Sequence, residues 1–98
     1  MESIINEFLE TFQIDKKLFY ESQIAEYASL RHIFAVAMYE NGYSQQDIKR
    51  YLRKKDHTTI IRSIDTGRSL LARTKNDMYK KAYNTVYNKI ADRYVIKE

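Results

Sequence analysis

Apolar residues recur at helical spacing almost from the first residue of this chain. Ile4, Ile5, Phe8, Leu9 and Phe12 follow an i, i+4, i+8 pattern with a neighbouring row, while Glu2, Glu7 and Glu10 fall on the other side. That alternation predicts an amphipathic helix over residues 3–12 that closes one side of a core. Residues 13–23 admit two readings. Asp15 can cap a short helix carrying Leu18, Phe19 and Tyr20, or the stretch is a loop whose aromatics plug the core from outside. From Gln23 to about Asn41 the pattern is densely apolar, with Ile24, Tyr27, Ala28, Leu30, Ile33, Phe34, Val36, Ala37, Met38 and Tyr39. An apolar surface this wide belongs to a central helix touched on several sides. Ala35 and Ala37 permit close approach of neighbours, and Gly42 after Asn41 is a natural stop.

The stretch from Ser44 to Arg62 reads as a short helix, a tight basic turn and the start of a second helix. Ser44 with Asp47 forms S-x-x-D, an N-terminal cap. Ile48 and Leu52 make a narrow apolar face, opposite Lys49, Arg50 and Arg53. Asp56 is placed to cap the next helix, expected to run from His57 to about Arg73 with Ile60, Ile61, Ile64 and Leu71 on its apolar side. Asp65, Thr66, Gly67 and Arg68 form a hydrophilic middle, where glycine costs about 1 kcal/mol against alanine and a bend or break is expected. Thr74 to Asn76 offers a start for a last helix over 76–95, with Met78, Tyr79, Ala82, Tyr83, Val86, Tyr87, Ile90 and Tyr94 on one broad face. The tyrosine stripe is expected to pack on the core with its hydroxyls reaching water. The sharper alternative is a homodimer or protein-partner contact through Tyr79, Tyr83 and Tyr87.

Composition agrees with a single all-α domain over 1–98, a compact bundle of about five to six helices. The chain has 98 residues, no proline and only two glycines, too few turn residues for a β-rich fold. With no cysteine, disulfides and thiolate metal sites are excluded, which is compatible with a reducing cytoplasm. No apolar run approaches the roughly 20 residues of a membrane span, so the expectation is a cytoplasmic protein. Two histidines, no cysteine and no carboxylate constellation leave no catalytic arrangement, no cofactor and no small-molecule substrate to expect.

Charge is unevenly distributed. Residues 1–40 carry three basic and seven acidic side chains, a balance of −4, whereas residues 41–75 carry nine basic and three acidic, a balance of +6. Positive potential is thus concentrated on the helix–turn–helix stretch, where a phosphate backbone is best met.

Lys55-Asp56-His57-Thr58-Thr59-Ile60-Ile61 resembles the signature of the DNA-binding C-terminal domain of the bacterial replication initiator DnaA, a family that shares its fold with the Trp repressor. The resemblance extends upstream through Leu30-Arg31-His32-Ile33-Phe34-Ala35-Val36-Ala37-Met38-Tyr39, similar to the family's long helix ahead of its helix-turn-helix. It covers roughly residues 25–72. The resemblance implies a helix-turn-helix over about 44–73 and sequence-specific binding of double-stranded DNA, in transcriptional or replication control. It implies base reading by Asp56, His57 and Thr58, and phosphate contacts from Arg31, His32 and Thr59.

Physical chemistry supplies the rest of that interface. Lys49, Arg53, Lys54, Lys55 and Arg62 are positioned to neutralise phosphates, which gives salt-sensitive affinity without sequence preference. The backbone N–H groups near Gln45, Gln46 and Asp56 add the positive ends of helices. Aspartate can accept from a cytosine amino group, histidine can donate to a purine acceptor, and a threonine methyl can touch that of thymine. Two departures stand out. Where the family has a Gly-Gly-Arg turn, this chain has the more basic Arg53-Lys54-Lys55. The family's arginine-rich minor-groove loop is replaced by the neutral-to-acidic stretch from Tyr20 to Glu26, and no nucleotide-binding loop is present. The alternative function is a protein-interaction module of the same fold.

Overall fold

In the computed structural model the chain is all-α. Residues 2–54, 57–75 and 77–95 are described; for His57, Thr58, Arg93, Tyr94 and Val95 the description is of the backbone alone. Six helices follow one another among them: α1 (Glu2–Thr11), α2 (Lys16–Glu21), α3 (Ala25–Glu40), α4 (Gln45–Tyr51), α5 (His57–Arg73) and α6 (Asp77–Val95). Among the described residues none is long and apolar enough to cross a membrane.

The helices stop and start where short-range chemistry dictates. Asp15 accepts a hydrogen bond from the Leu18 amide at 3.0 Å, so residues 16–21 form a capped helix rather than a loop. Ser44 does the same for α4, its hydroxyl accepting from the Asp47 amide at 3.1 Å. The Asp47 carboxylate turns away to pair with Arg50 at 3.0 Å. At the end of α3, Gly42 takes a φ of +93°. The Tyr43 amide then reaches back to the Met38 carbonyl and that of Gly42 to Tyr39, the Schellman pattern of a glycine-terminated helix. The same pair of bonds ends α1 at Gln13 and α4 at Arg53, both with positive φ.

α3 is the axis of the fold, packed against α2, α4, α5 and α6. Its residues from Leu30 to Met38 are buried almost without interruption, apart from half-buried His32. Phe34 meets the ring of Phe8 from α1 edge-on at 4.7 Å and that of Phe19 from α2 at 5.3 Å. Such pairs add roughly 0.5–1.5 kcal/mol beyond the area they bury. Ile60 and Ile64 of α5 and Ala82, Val86 and Ile90 of α6 complete the core. Ile24 precedes the central helix rather than joining its buried face, and is 60% exposed.

α5 departs from its expected pattern in two ways. It runs unbroken from His57 to Arg73, through Gly67. Its buried face is Ile60, Ser63, Ile64 and Gly67, whereas Ile61 is 46% exposed. Two small residues occupy core positions, and at Gly67 α3 comes too close for anything larger. A Cβ built on Gly67 would sit 2.5 Å from the His32 carbonyl oxygen and 2.5 Å from a Val36 methyl.

On α6, Tyr79, Tyr83 and Tyr87 pack half-buried against the chain's own core. The Tyr83 hydroxyl donates to the Glu40 carboxylate, and its ring lies 5.7 Å from that of Tyr87. Burial, followed by the Glu40 hydrogen bond, drives the Tyr83 hydroxyl far above its usual range and keeps it protonated.

Candidate nucleic-acid interface

The basic turn between α4 and α5 is built from an unfavourable conformation held by specific contacts. Arg53 has a φ of +57°, in the left-handed region that glycine occupies at least cost. Its guanidinium lies 4.0 Å from the centroid of the Tyr20 ring on α2. That cation–π contact ties the turn to a neighbouring helix. The Lys54 amide closes the turn on the Lys49 carbonyl at 2.9 Å. Lys55 and Asp56 lie outside the described residues, as do the side chains of His57 and Thr58; α5 itself begins at His57.

Around the turn, Gln46, Arg53, Thr59 and Arg62 are exposed, while Gln45, Lys49 and Lys54 are half-buried. Thr59 and Arg62 are three apart on the outward side of α5 and therefore neighbours there. Gln45 and Gln46 sit in the first turn of α4.

Arg31 requires a correction. The expected phosphate contact is a buried structural clamp, 7% exposed. One terminal nitrogen donates to the Phe19 carbonyl at 2.6 Å and the other to the Ser22 carbonyl at 2.7 Å. These are carbonyls at the end of α2, which a helix leaves without internal partners. A guanidinium presents donors in a fixed fork, and here the fork is turned inward. Burial lowers its pKa, as expected for a cation drawn into the fold.

His32 is also engaged internally. Its Nδ1 and the Ser63 hydroxyl share a hydrogen bond of 3.0 Å across the α3–α5 interface. Burial first, then the positive charges of Arg31 and Lys54, lower its pKa below the ordinary value. Lys54 is lowered as well, by burial and by Arg31. Arg31, His32 and Lys54 thus form a seam of mutually repelling bases beside the turn. Ser63 was absent from the expected contacts; its signal was a small polar residue three positions after Ile60 and four before Gly67, within the buried face of α5.

The seam gives stability a pH dependence with a defined sign. Because the folded chain holds His32 neutral to a lower pH than the unfolded chain does, the unfolded state takes up the proton first. His32 therefore destabilises the fold as pH drops below about 6.5, and this contribution is absent above it. Urea unfolding at pH 7.5 and 5.0 is expected to show a lower midpoint at pH 5.0, with a smaller drop in His32→Gln. Equal drops in both proteins would exclude His32 as a source of the effect.

Fold and site together define an all-α bundle in which a capped, basic turn between α4 and α5 stands beside a polar seam on the central helix. The chain matches no protein-family model, no curated protein and no solved structure.

Proposed function

We propose that this chain binds double-stranded DNA through α4, the basic turn and α5 acting as a helix-turn-helix, in the control of transcription or replication. The observation that carries the reading is the start of α5: exposed Thr59 and Arg62 lie in the first two turns of a helix that begins three residues after Lys54, in the chain segment of +6 balance. A helix that starts with polar residues in a basic surround suits insertion into the major groove. Lys49, Arg53, Lys54, Lys55, Thr59 and Arg62 then position the domain on phosphates, and Asp56, His57 and Thr58 read base edges. Arg31 and His32 have a different part in this scheme. They fix α2 and α5 against α3, and so hold the reading helix at a set angle.

The test is fluorescence anisotropy on a pool of random duplexes at about 50 and 200 mM salt, a range over which several phosphate contacts change affinity by orders of magnitude. The expected result is salt-steep binding, with the slope of log K against log salt reduced by about two in the Lys54→Ala/Lys55→Ala double variant. On a duplex selected from the pool, His57→Ala is expected to cost about 1–3 kcal/mol and to relax specificity at one position. Absence of binding at both salts would overturn the proposal.

A further inference from the structure

α5 turns two different sides to solvent. Thr59 and Arg62 lie on one; Ile61, Asp65, Arg68 and Ala72 lie on the other, because steps of four and seven residues return to the same side of a helix. Ile61 is a branched apolar residue left nearly half exposed. Further along this side a groove of about 460 Å³ opens between α3, α5 and α6. Val36, Leu71 and the ring of Tyr83 line it with apolar surface, and Glu40, Arg68 and Lys80 border it. The Glu40 carboxylate is taken up by the Tyr83 hydroxyl. Arg68 rests over the Tyr39 ring, 5.4 Å from its centroid. Neither Arg68 nor Lys80 forms an ion pair with a carboxylate among the described residues.

We propose that this groove, with Arg68 and Lys80 on its rim and Ile61 two turns of α5 beyond it, is the docking site for an acidic amphipathic helix of a protein partner. From Ile61 to Ala72 the helix rises about 16 Å at 1.5 Å per residue, the length of three turns of a bound helix. Apolar side chains spaced i, i+4 and i+7 on that helix can fill the groove and cover Ile61. Carboxylates flanking them meet the two cations, which discriminate against a basic or neutral helix of equal hydrophobicity. Duplex DNA has no use for the apolar lining. Since Thr59 and Arg62 face away, the partner helix occupies the domain without covering the turn, and the inference stands independently of the DNA reading.

The probes are two helix-forming peptides of about 14 residues with the same leucine spacing, one flanked by glutamates and the other by lysines. Each is titrated into the ¹⁵N-labelled full chain and followed by amide chemical shifts. The glutamate peptide is expected to shift Val36, Leu71, Ala72 and Lys80, and the lysine peptide to leave them in place. Arg68→Glu/Lys80→Glu is expected to weaken the glutamate peptide about tenfold or more, by losing two ion pairs and adding like-charge repulsion. Ile61→Asp should weaken it independently, and Arg62→Ala should not. All four positions are exposed, and thermal melts of the variants verify that the fold persists. Equal binding of both peptides, shifts confined to another face, or unchanged affinity in the double variant would each overturn the proposal. Concentration-dependent shifts of the same amides without peptide, and no further shift with it, would assign the groove to a second copy of the chain and overturn it as well.

Discussion

Gly67→Ala is expected to destabilise the domain by about 2 kcal/mol or more, although the same change in an open helix stabilises by about 1 kcal/mol. The sign is set by what the added methyl would meet. At 2.5 Å from the His32 carbonyl oxygen, it collides with backbone of α3 rather than with the end of a movable side chain. The second clash, with Val36, cannot be relieved by a rotamer change alone, because Val36 is itself buried. α3 and α5 must therefore separate, which loosens the largest helix–helix contact of the fold and the His32–Ser63 hydrogen bond with it. Urea denaturation of wild type and Gly67→Ala measures the difference. An alanine variant as stable as wild type would show that the helices slide apart freely. A Ser69→Ala control, at an exposed position of the same helix, is expected to change stability by no more than about 0.5 kcal/mol.

The second large effect concerns Arg31. Arg31→Ala is expected to cost about 3 kcal/mol or more, because it strands the carbonyls of Phe19 and Ser22 and empties a buried volume. Arg31→Lys should recover only part of this, since a single ammonium cannot reproduce the guanidinium fork. The experiment separates the clamp from a phosphate contact. A phosphate ligand would reduce the salt dependence of DNA binding by about one unit of slope and leave stability unchanged. The clamp predicts the opposite pattern: a lower urea midpoint and an unaltered slope for the fraction that remains folded. A stable Arg31→Ala protein with a shallower slope would reinstate the surface role.

What could be read from the chain alone is instructive in its pattern. Helices with one wet side were legible, because burial imposes a 3.6-residue period on residue type. Caps were legible too: the Ser44 oxygen satisfies an amide three residues on and Gly42 takes a backbone angle most residues avoid, while Asp15 turned out to cap a helix where a loop was the open alternative. These are local interactions, and local spacing encodes them. For the candidate interface, the exposed Thr59 and Arg62 and the basic turn at Arg53 and Lys54 were equally visible as residue types in order.

Other features arise only from long-range neighbours. Nothing adjacent to Arg31 tells that its guanidinium will cap the end of α2, since its partners lie nine and twelve residues away. An arginine on the central helix reads as solvated until the docking of α2 closes over it. Gly67 reads as a helix breaker from propensity alone, whereas the proximity of the His32 carbonyl makes it a close-contact residue inside a continuous helix. Ile61 and Ile60 are identical in type, and rotation about α5 decides which is buried. Ile60 lies on the side of Ser63, Ile64 and Gly67, where Gly67 leaves room for the His32 carbonyl of α3, and Ile61 lies off it. The sequence by itself determined the all-α class, the helix ends at Gly42 and Ser44 and the concentration of charge, because each depends on composition or on neighbours within a few residues. Tertiary structure alone decided which charged and apolar groups face inward, because that depends on where a helix far along the chain comes to rest.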